Sequence, residues 1–278
     1  MNAIREKVPL VTVITPVFNG GDMLKPTIES VIGQTYASIE YIIVDGGSSD
    51  NTIDVVELFG DNVTVFISEP DAGMYDALAK GLSKASGEVI CYINAGDYLY
   101  PHAVQLAVDL FESKNISWLT GCRSVCNEKG QVTHIDLPFR YKRSLIRSGS
   151  YGKWLPFIQQ ESTFWRSSLL GCIDVDFLRG LKLAGDYYLW WCFSKEVDLN
   201  VVSSPLGVFK KHAGQLSEAS DAYFSELDKF VDRRGMVVRL QEIYELFFWA
   251  LHPKIRALFY ETAFRYDHQK RTWVKKYK

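Results

Sequence analysis

The chain contains no run of about 18 apolar residues, the length a helix needs to cross a bilayer, so no spanning helix is expected. No secretory leader is expected: Arg5, Glu6 and Lys7 precede an apolar run of only about ten residues, broken by Pro9 and Pro16. Cysteine is sparse and odd in number. Cys91, Cys122, Cys126, Cys172 and Cys192 form no Cys-x-x-Cys pair, which excludes a zinc finger. Set among apolar residues, they read as small buried hydrophobes of a reducing, cytoplasmic compartment. Excess charge is missing too: a net −2 gives no pull toward nucleic acid, and none is expected as a partner.

Three nucleotide and hydrolase signatures are absent. No G-x-G-x-x-G follows the first strand-like run, there is no G-x-x-x-x-G-K-[ST] loop, and Gly47-Ser48-Ser49 lacks the closing glycine of a hydrolase elbow. What is present is an alternation. Apolar runs over 11–15, 39–44, 63–68 and 88–94 read as strands. Helices are expected between them over 22–34, capped by Asp22, and over 52–59 and 74–85, with another over 101–113. Continuous apolar strands alternating with helices imply a parallel sheet covered on both faces. Such sheets bind ligands beyond the carboxyl ends of their strands. The polar clusters 15–19, Asp45, 69–71 and 94–97 all fall there. Beyond about residue 115 the pattern predicts an antiparallel extension of the sheet, with short strands around a polar, aromatic stretch at 139–161. From about 220 the spacing turns helical, with a second aromatic helix expected over 255–268 after Pro253.

The clusters resemble the family-2 glycosyltransferases. The matching segments are VTVITPVFN at 11–19, SVIGQTY at 30–36, EYIIVDGGSSDNT at 40–52, SEPDAGMYDA at 68–77 and GEVICYINAGD at 87–97. Looser matches follow at 160–166 (QESTFWR), 184–191 (AGDYYLWW) and 209–217 (FKKHAGQLS). The resemblance implies the GT-A fold: an α/β, Rossmann-like, mostly parallel central sheet with helices on both faces. Here that domain spans 1–219 and a helical C-terminal extension spans 220–278. It implies an inverting glycosyltransferase taking a nucleotide-sugar, typically a UDP-sugar, to a glycan or polyprenyl-linked acceptor in polysaccharide synthesis. The alternative is a non-catalytic, ligand-binding relic of the same fold.

Residue by residue, the resemblance places Pro16, Phe18 and Asn19 against the nucleoside, with Phe18 able to stack on the base. It makes Asp45 the acceptor for the base, against a plain role in capping the turn at 45–50. Asp71 opens a tight turn on the sugar-nucleotide path. Asn94-Ala95-Gly96-Asp97 stands where the family carries an Asp-x-Asp signature, so Asp97, completed by His212, is the expected ligand of a divalent cation, Mn²⁺ or Mg²⁺. Gly96 departs from that pattern. Lys210 and Lys211 beside His212 offer a direct counter-charge to phosphate. Asp186 matches the general base, against a plain role as an N-cap. Gln160 and Glu161 are expected to line the acceptor or sugar pocket, with Glu161 the second candidate for the base.

The tail carries the strongest charge asymmetry. Residues 254–278 hold eight Lys/Arg and two Asp/Glu, a net +6, which leaves −8 on the first 253. Basic, aromatic helices there point to peripheral contact with the cytoplasmic face of a membrane. Packing of the same faces, on the body or in a homodimer, is the competing use.

Overall fold

A computed structural model describes residues 8–137, 140–212, 215, 220–251, 255 and 263–275. Four strands, β1 (Val11–Val17), β2 (Ile39–Asp45), β3 (Val65–Ser68) and β4 (Val89–Tyr92), run parallel in the order β3-β2-β1-β4. Their register aligns Val17 with Asp45 and Asp45 with Ser68, so the polar strand ends form one row. Pro16 is tolerated inside a central strand because pairing of β1 with β4 stops at Ile14, where the missing N–H has no ladder partner to lose.

Side-chain alternation divides the core between the faces of the sheet. Val13, Ile43 and Cys91 pack with α1 (Gly21–Ile32), α2 (Thr52–Glu57) and, further along, α4 (Ala103–Lys114). Ile14, Ile42 and Val44 pack with α3 (Met74–Lys84) on the opposite face. There Trp118, Trp165, Trp190 and Phe193 form a buried aromatic cluster with ring centroids 5.6–5.9 Å apart. The first helix begins at Gly21 behind Gly20, so Asp22 lies in the first turn rather than at the cap.

The second half is a mixed extension, not an antiparallel one. The short β5 (Tyr98–Leu99) precedes β6 (Trp118–Cys126) and β7 (Val132–Asp136). After α5 (Arg143–Arg147) comes β8 (Thr163–Arg166), antiparallel to both β4 and β6. Then follow α6 (Val175–Gly180), α7 (Gly185–Glu196), β9 (Asn200–Pro205) and β10 (Gly207–Lys210); β9 and β10 run parallel to β6.

The chain then forms α8 (Ser220–Leu227) and α9 (Met236–Ala250). Of the helix expected over 255–268, residues 256–262 lie outside the described residues, and from 263 a strand stands in its place: β11 (Ala263–Asp267) and β12 (Thr272–Lys275) make a hairpin, and β11 adds in parallel to β9. Phe264, Tyr266, Thr272, Trp273 and Val274 favour strand, and the free edge of β9 supplies the partner that local helical spacing cannot match. Phe264 is buried in the sheet core. Among the described residues, no helix is long and apolar enough to cross a membrane.

The ninth helix is turned polar side in. Glu245, fully buried, accepts from Arg140 (2.7 Å) and Lys142 (2.9 Å), and Glu242 accepts from Ser150 Oγ (2.6 Å). Met236, Val237, Leu240, Ile243 and Phe247 are left exposed on its outer side.

Candidate active site

At the row of strand ends, two loops are stapled into one wall. Asn19, with φ +48°, donates its N–H to Ser48 Oγ (2.7 Å), while its side-chain carbonyl accepts from the Ser49 N–H (2.9 Å). Gly20 and Gly21 N–H donate to Thr52 Oγ1 at 2.9 and 3.0 Å. The N–H and side-chain carbonyl of Asn19 are therefore spent on the wall, and Pro16 is buried within β1. Phe18 is the residue this loop presents: it is 64% exposed on a braced backbone.

Asp45 is fully buried behind it. Its carboxylate accepts from Ser68 Oγ (2.7 Å) and from the N–H and hydroxyl of Ser48, so it does organise the 45–50 turn. Gly46 has no room for a side chain, since a Cβ would lie 2.5 Å from Asp71 Oδ2. Asp71 Oδ1 accepts from Gly73 N–H at 2.7 Å, whereas Oδ2 is buried without a partner.

Three further acids converge beyond β4. Asp97 closes the 94–97 turn, which Thr27 Oγ1 ties down by donating to Asp97 O (2.7 Å) and accepting from Gly96 N–H (2.9 Å). Asp97 Oδ1 accepts the backbone N–H of Lys210 at 2.7 Å. Glu161 lies beside it on a single 3₁₀ turn, Gln160–Ser162. A Cβ on Gly207 would overlap the carbonyl of Glu161, so β10 meets this turn backbone to backbone. Burial first, then the neighbouring Glu161 carboxylate, pushes Asp97 far above the usual carboxylate range. Burial likewise pushes Glu161 up to about 7, with the charge of Asp186 adding to it. Gln160 is a brace: its amide donates to Tyr92 O and accepts from Asn94 Nδ2 (3.4 Å). Asn94 Oδ1 remains buried without a partner.

Asp186 occupies the first turn of α7, behind Ala184 as the N-cap residue, so it is not itself the cap. Its Oδ1 accepts from Tyr187 N–H (2.7 Å), Tyr223 OH (3.2 Å) and Tyr75 OH (3.5 Å). Burial pushes its pKa up to about 6, against the lowering effect of those donors. The ring of Tyr75 lies where a side chain on Gly185 would stand, only 2.4 Å from a Cβ there. Glu226 accepts the N–H groups of Lys182, Leu183 and Ala184 at 2.7–2.9 Å and so fixes the start of α7.

Tyr75, Tyr223 and Glu226 escaped the sequence reading. The last two stand one turn apart on α8, a helical spacing that places them on one face. His212 follows β10 by two residues, and its N–H donates to Gln215 Oε1 (3.1 Å). Ser217, the end of the last matched segment, lies outside the described residues.

The family model for glycosyl transferase family 2 matches residues 12–172, more than half of the chain. The chain belongs to this family. It is a glycosyltransferase with the GT-A fold, as its motifs implied. An uncharacterized glycosyltransferase of Rickettsia typhi is 27% identical over 188 residues, covering 66% of this chain; this chain in turn spans only 58% of that protein's length. The UDP-Glc:alpha-D-GlcNAc-diphosphoundecaprenol beta-1,3-glucosyltransferase of Escherichia coli is 26% identical over 248 residues, 85% of this chain and 90% of that one.

Among solved structures, S. aureus TarS in complex with UDP-GlcNAc superposes with a TM-score of 0.61 at 15% identity, over 91% of this chain and 70% of that one. Glucosyl-3-phosphoglycerate synthase of Mycobacterium tuberculosis, in complex with Mn²⁺, UDP and phosphoglyceric acid, gives 0.56 at 15% identity over 82% and 80%. At these identities the likeness establishes the glycosyltransferase fold alone.

Proposed function

We propose that this glycosyltransferase moves a hexose from a UDP-sugar to a hydroxyl of a glycan or lipid-linked glycan, with inversion at the anomeric carbon, during assembly of a cell-surface polysaccharide. The observation that carries the reading is the placement of Asp186, Asp97 and the Phe18–Asp45–Asp71 wall along one edge of the sheet. A nucleobase stacks on Phe18 and hydrogen-bonds toward Asp45, and Asp71 Oδ2 accepts from a donor hydroxyl. The three donors to Asp186, the Tyr187 N–H and the hydroxyls of Tyr75 and Tyr223, all reach Oδ1, which leaves Oδ2 for the acceptor. That oxygen takes the acceptor's proton as the acceptor oxygen attacks the anomeric carbon. The bond from that carbon to the diphosphate breaks on the opposite side, UDP departs, and the configuration inverts. The acceptors named for the similar E. coli enzyme support a lipid-linked substrate.

The residues present suit a divalent cation, Mn²⁺ or Mg²⁺. Asp97, His212 and the orphaned Asn94 Oδ1 are hard or borderline donors, and no three acids, histidines or cysteines cluster tightly enough among the described residues to cage an ion alone. Diphosphate oxygens and water complete such a shell. The cation's contribution is to neutralise the leaving diphosphate. In this reading 1–219 carries the chemistry and 220–278 serves it, since Tyr223 donates to Asp186 and Glu226 holds the backbone at 182–184 that leads into its helix. The outer apolar side of α9 supports peripheral contact with the cytoplasmic face of a membrane, and pairing of two copies through that side is the rival.

Calorimetric titration with UDP and Mn²⁺ tests the donor: binding of another nucleoside diphosphate but not of UDP overturns the assignment. Proton NMR of the transfer product tests the stereochemistry, and a retained anomeric configuration rejects direct displacement.

A further inference from the structure

The 150–158 loop buries what a loop needs to bury and still exposes two large aromatics. Tyr151, Leu155 and Ile158 point into the core, whereas Trp154 is 53% and Phe157 43% exposed. The loop is tightly held. Trp154 and Leu155 N–H donate to Ser150 O at 3.0 and 3.1 Å, Gly152 N–H donates to Leu155 O at 2.6 Å, and Tyr141 OH donates to Phe157 O at 3.0 Å. Gly152 has φ +86°, and a Cβ there would lie 2.4 Å from the Phe157 ring, so the ring rests directly on the glycine. Phe157 meets Tyr223 edge to face with centroids 5.8 Å apart, and Tyr223 OH donates to Asp186 at 3.2 Å. The exposed aromatics thus begin one side chain away from the carboxylate that receives the acceptor's proton.

The loop's own charge has one sign, and the Glu242 carboxylate meets it from α9 through Ser150 Oγ (2.6 Å) and Arg234 Nε (3.9 Å). The loop contains Lys153 and no acid. Lys153 Nζ lies over the Phe224 ring at 5.6 Å, and the Arg234 guanidinium lies over Trp154 at 5.9 Å. Rigid, exposed aromatics give contact area at little entropic cost, and the C–H face of a pyranose is an apolar surface that fits them. Ammonium and guanidinium groups beside them suit phosphate.

We infer that Trp154 and Phe157 form the platform on which the acceptor sugar stacks, with Lys153 reading a diphosphate attached to that sugar. The inference rests on the acceptor side of the proposed reaction and names its subsite: the acceptor is a glycosyl diphosphate, held by its sugar ring rather than by its tail.

The test measures acceptor binding without donor. Hexyl diphosphates of glucose, galactose, N-acetylglucosamine and N-acetylgalactosamine serve as probes, by calorimetry, against the full chain. At least one probe is expected to bind. Trp154→Ala and Phe157→Ala should each weaken it by about tenfold or more, the scale of one lost stacking contact. Trp154→Tyr should restore most of the loss. Lys153→Met should weaken the diphosphate probe several-fold and leave the corresponding methyl glycoside unchanged. UDP titration of the same variants should stay within twofold of the parent, and an unchanged melting temperature shows that they fold. If no probe binds the parent chain, or if the alanine variants bind within twofold of it, the platform is overturned. So it is if the variants lose anionic-vesicle binding and keep the probes, which makes the ledge a membrane contact. Failure of UDP binding in the parent chain sinks the donor reading instead and leaves the acceptor result to stand by itself.

Discussion

As the proposed base, Asp186 meets two demands that pull its proton affinity in opposite directions. Burial raises its pKa to about 6, which makes it a better base, while the Tyr187 N–H and the Tyr223 and Tyr75 hydroxyls hold that rise in check. A base works deprotonated, so turnover should climb as pH rises through about 6 and then level, as read from a kcat–pH profile. Tyr223→Phe removes a donor that favours the charged form, so the acid limb should move to higher pH. A limb that stays in place would mean that Tyr223 does not set this proton affinity. Asp186→Asn should cut turnover about a hundredfold or more while UDP binds as before. If the same loss attends Glu161→Gln and not Asp186→Asn, the base is Glu161. On the donor side, Asp45→Ala should weaken UDP binding by about 1–3 kcal/mol, measured calorimetrically, the cost of a lost hydrogen bond to a charged group.

At the scale of elements, α8 is the clamp that keeps α7 in register with the site. Glu226 is buried against three backbone N–H groups, which lower its pKa despite the opposing effect of burial. A carboxylate lowered in the folded state stabilises the fold above its unfolded value, about 4.3, and that stability is lost as pH falls through the lower folded value. Glu226→Ala should therefore cost about 2–3 kcal/mol at pH 7, and the gap to the parent should close toward acid pH in thermal unfolding. A constant gap across pH would assign the loss to packing.

The strand ends were legible because apolar runs and turn residues are local: β1, β2 and β4 fall within a few residues of where the pattern put them. So were the positions of Asp45 and Asp97 at or just beyond strand ends and of Asp186 in the first turn of a helix, each embedded in a segment with its own signature. Tyr75, Tyr223 and Glu226 were not, because their roles exist only once α3, α8 and the start of α7 are brought together. The hairpin β11–β12 was missed for the same reason. Nothing local says that β9 leaves an edge to fill.

For the molecule as a whole, the hairpin changes what the basic tail can do. Residues 263–275 hold Phe264 in the core and close the sheet edge, and Lys275 Nζ donates to Asn200 Oδ1 at 2.7 Å. Deleting 254–278 should thus expose β9 and cost about 3 kcal/mol or more from the lost phenylalanine alone, so loss of vesicle binding in that deletion would say little about membranes. The discriminating surface is α9. Both acids of that helix, Glu242 and Glu245, face inward and are bonded, which leaves Leu240, Ile243 and Phe247 outward beside the exposed Arg239. Each apolar side chain contributes about 1.5–3 kcal/mol if fully buried in lipid, and each basic residue about 1 kcal/mol that salt screens. Vesicles containing phosphatidylglycerol should bind the parent chain at low salt and retain a weaker, salt-resistant fraction. The triple change Leu240→Ser, Ile243→Ser and Phe247→Ser should abolish that fraction without lowering the melting temperature, because these side chains already lie exposed. If it instead splits a dimer in analytical ultracentrifugation and leaves vesicle binding intact, α9 is a subunit interface, and the basic tail owes its charge to something other than a membrane.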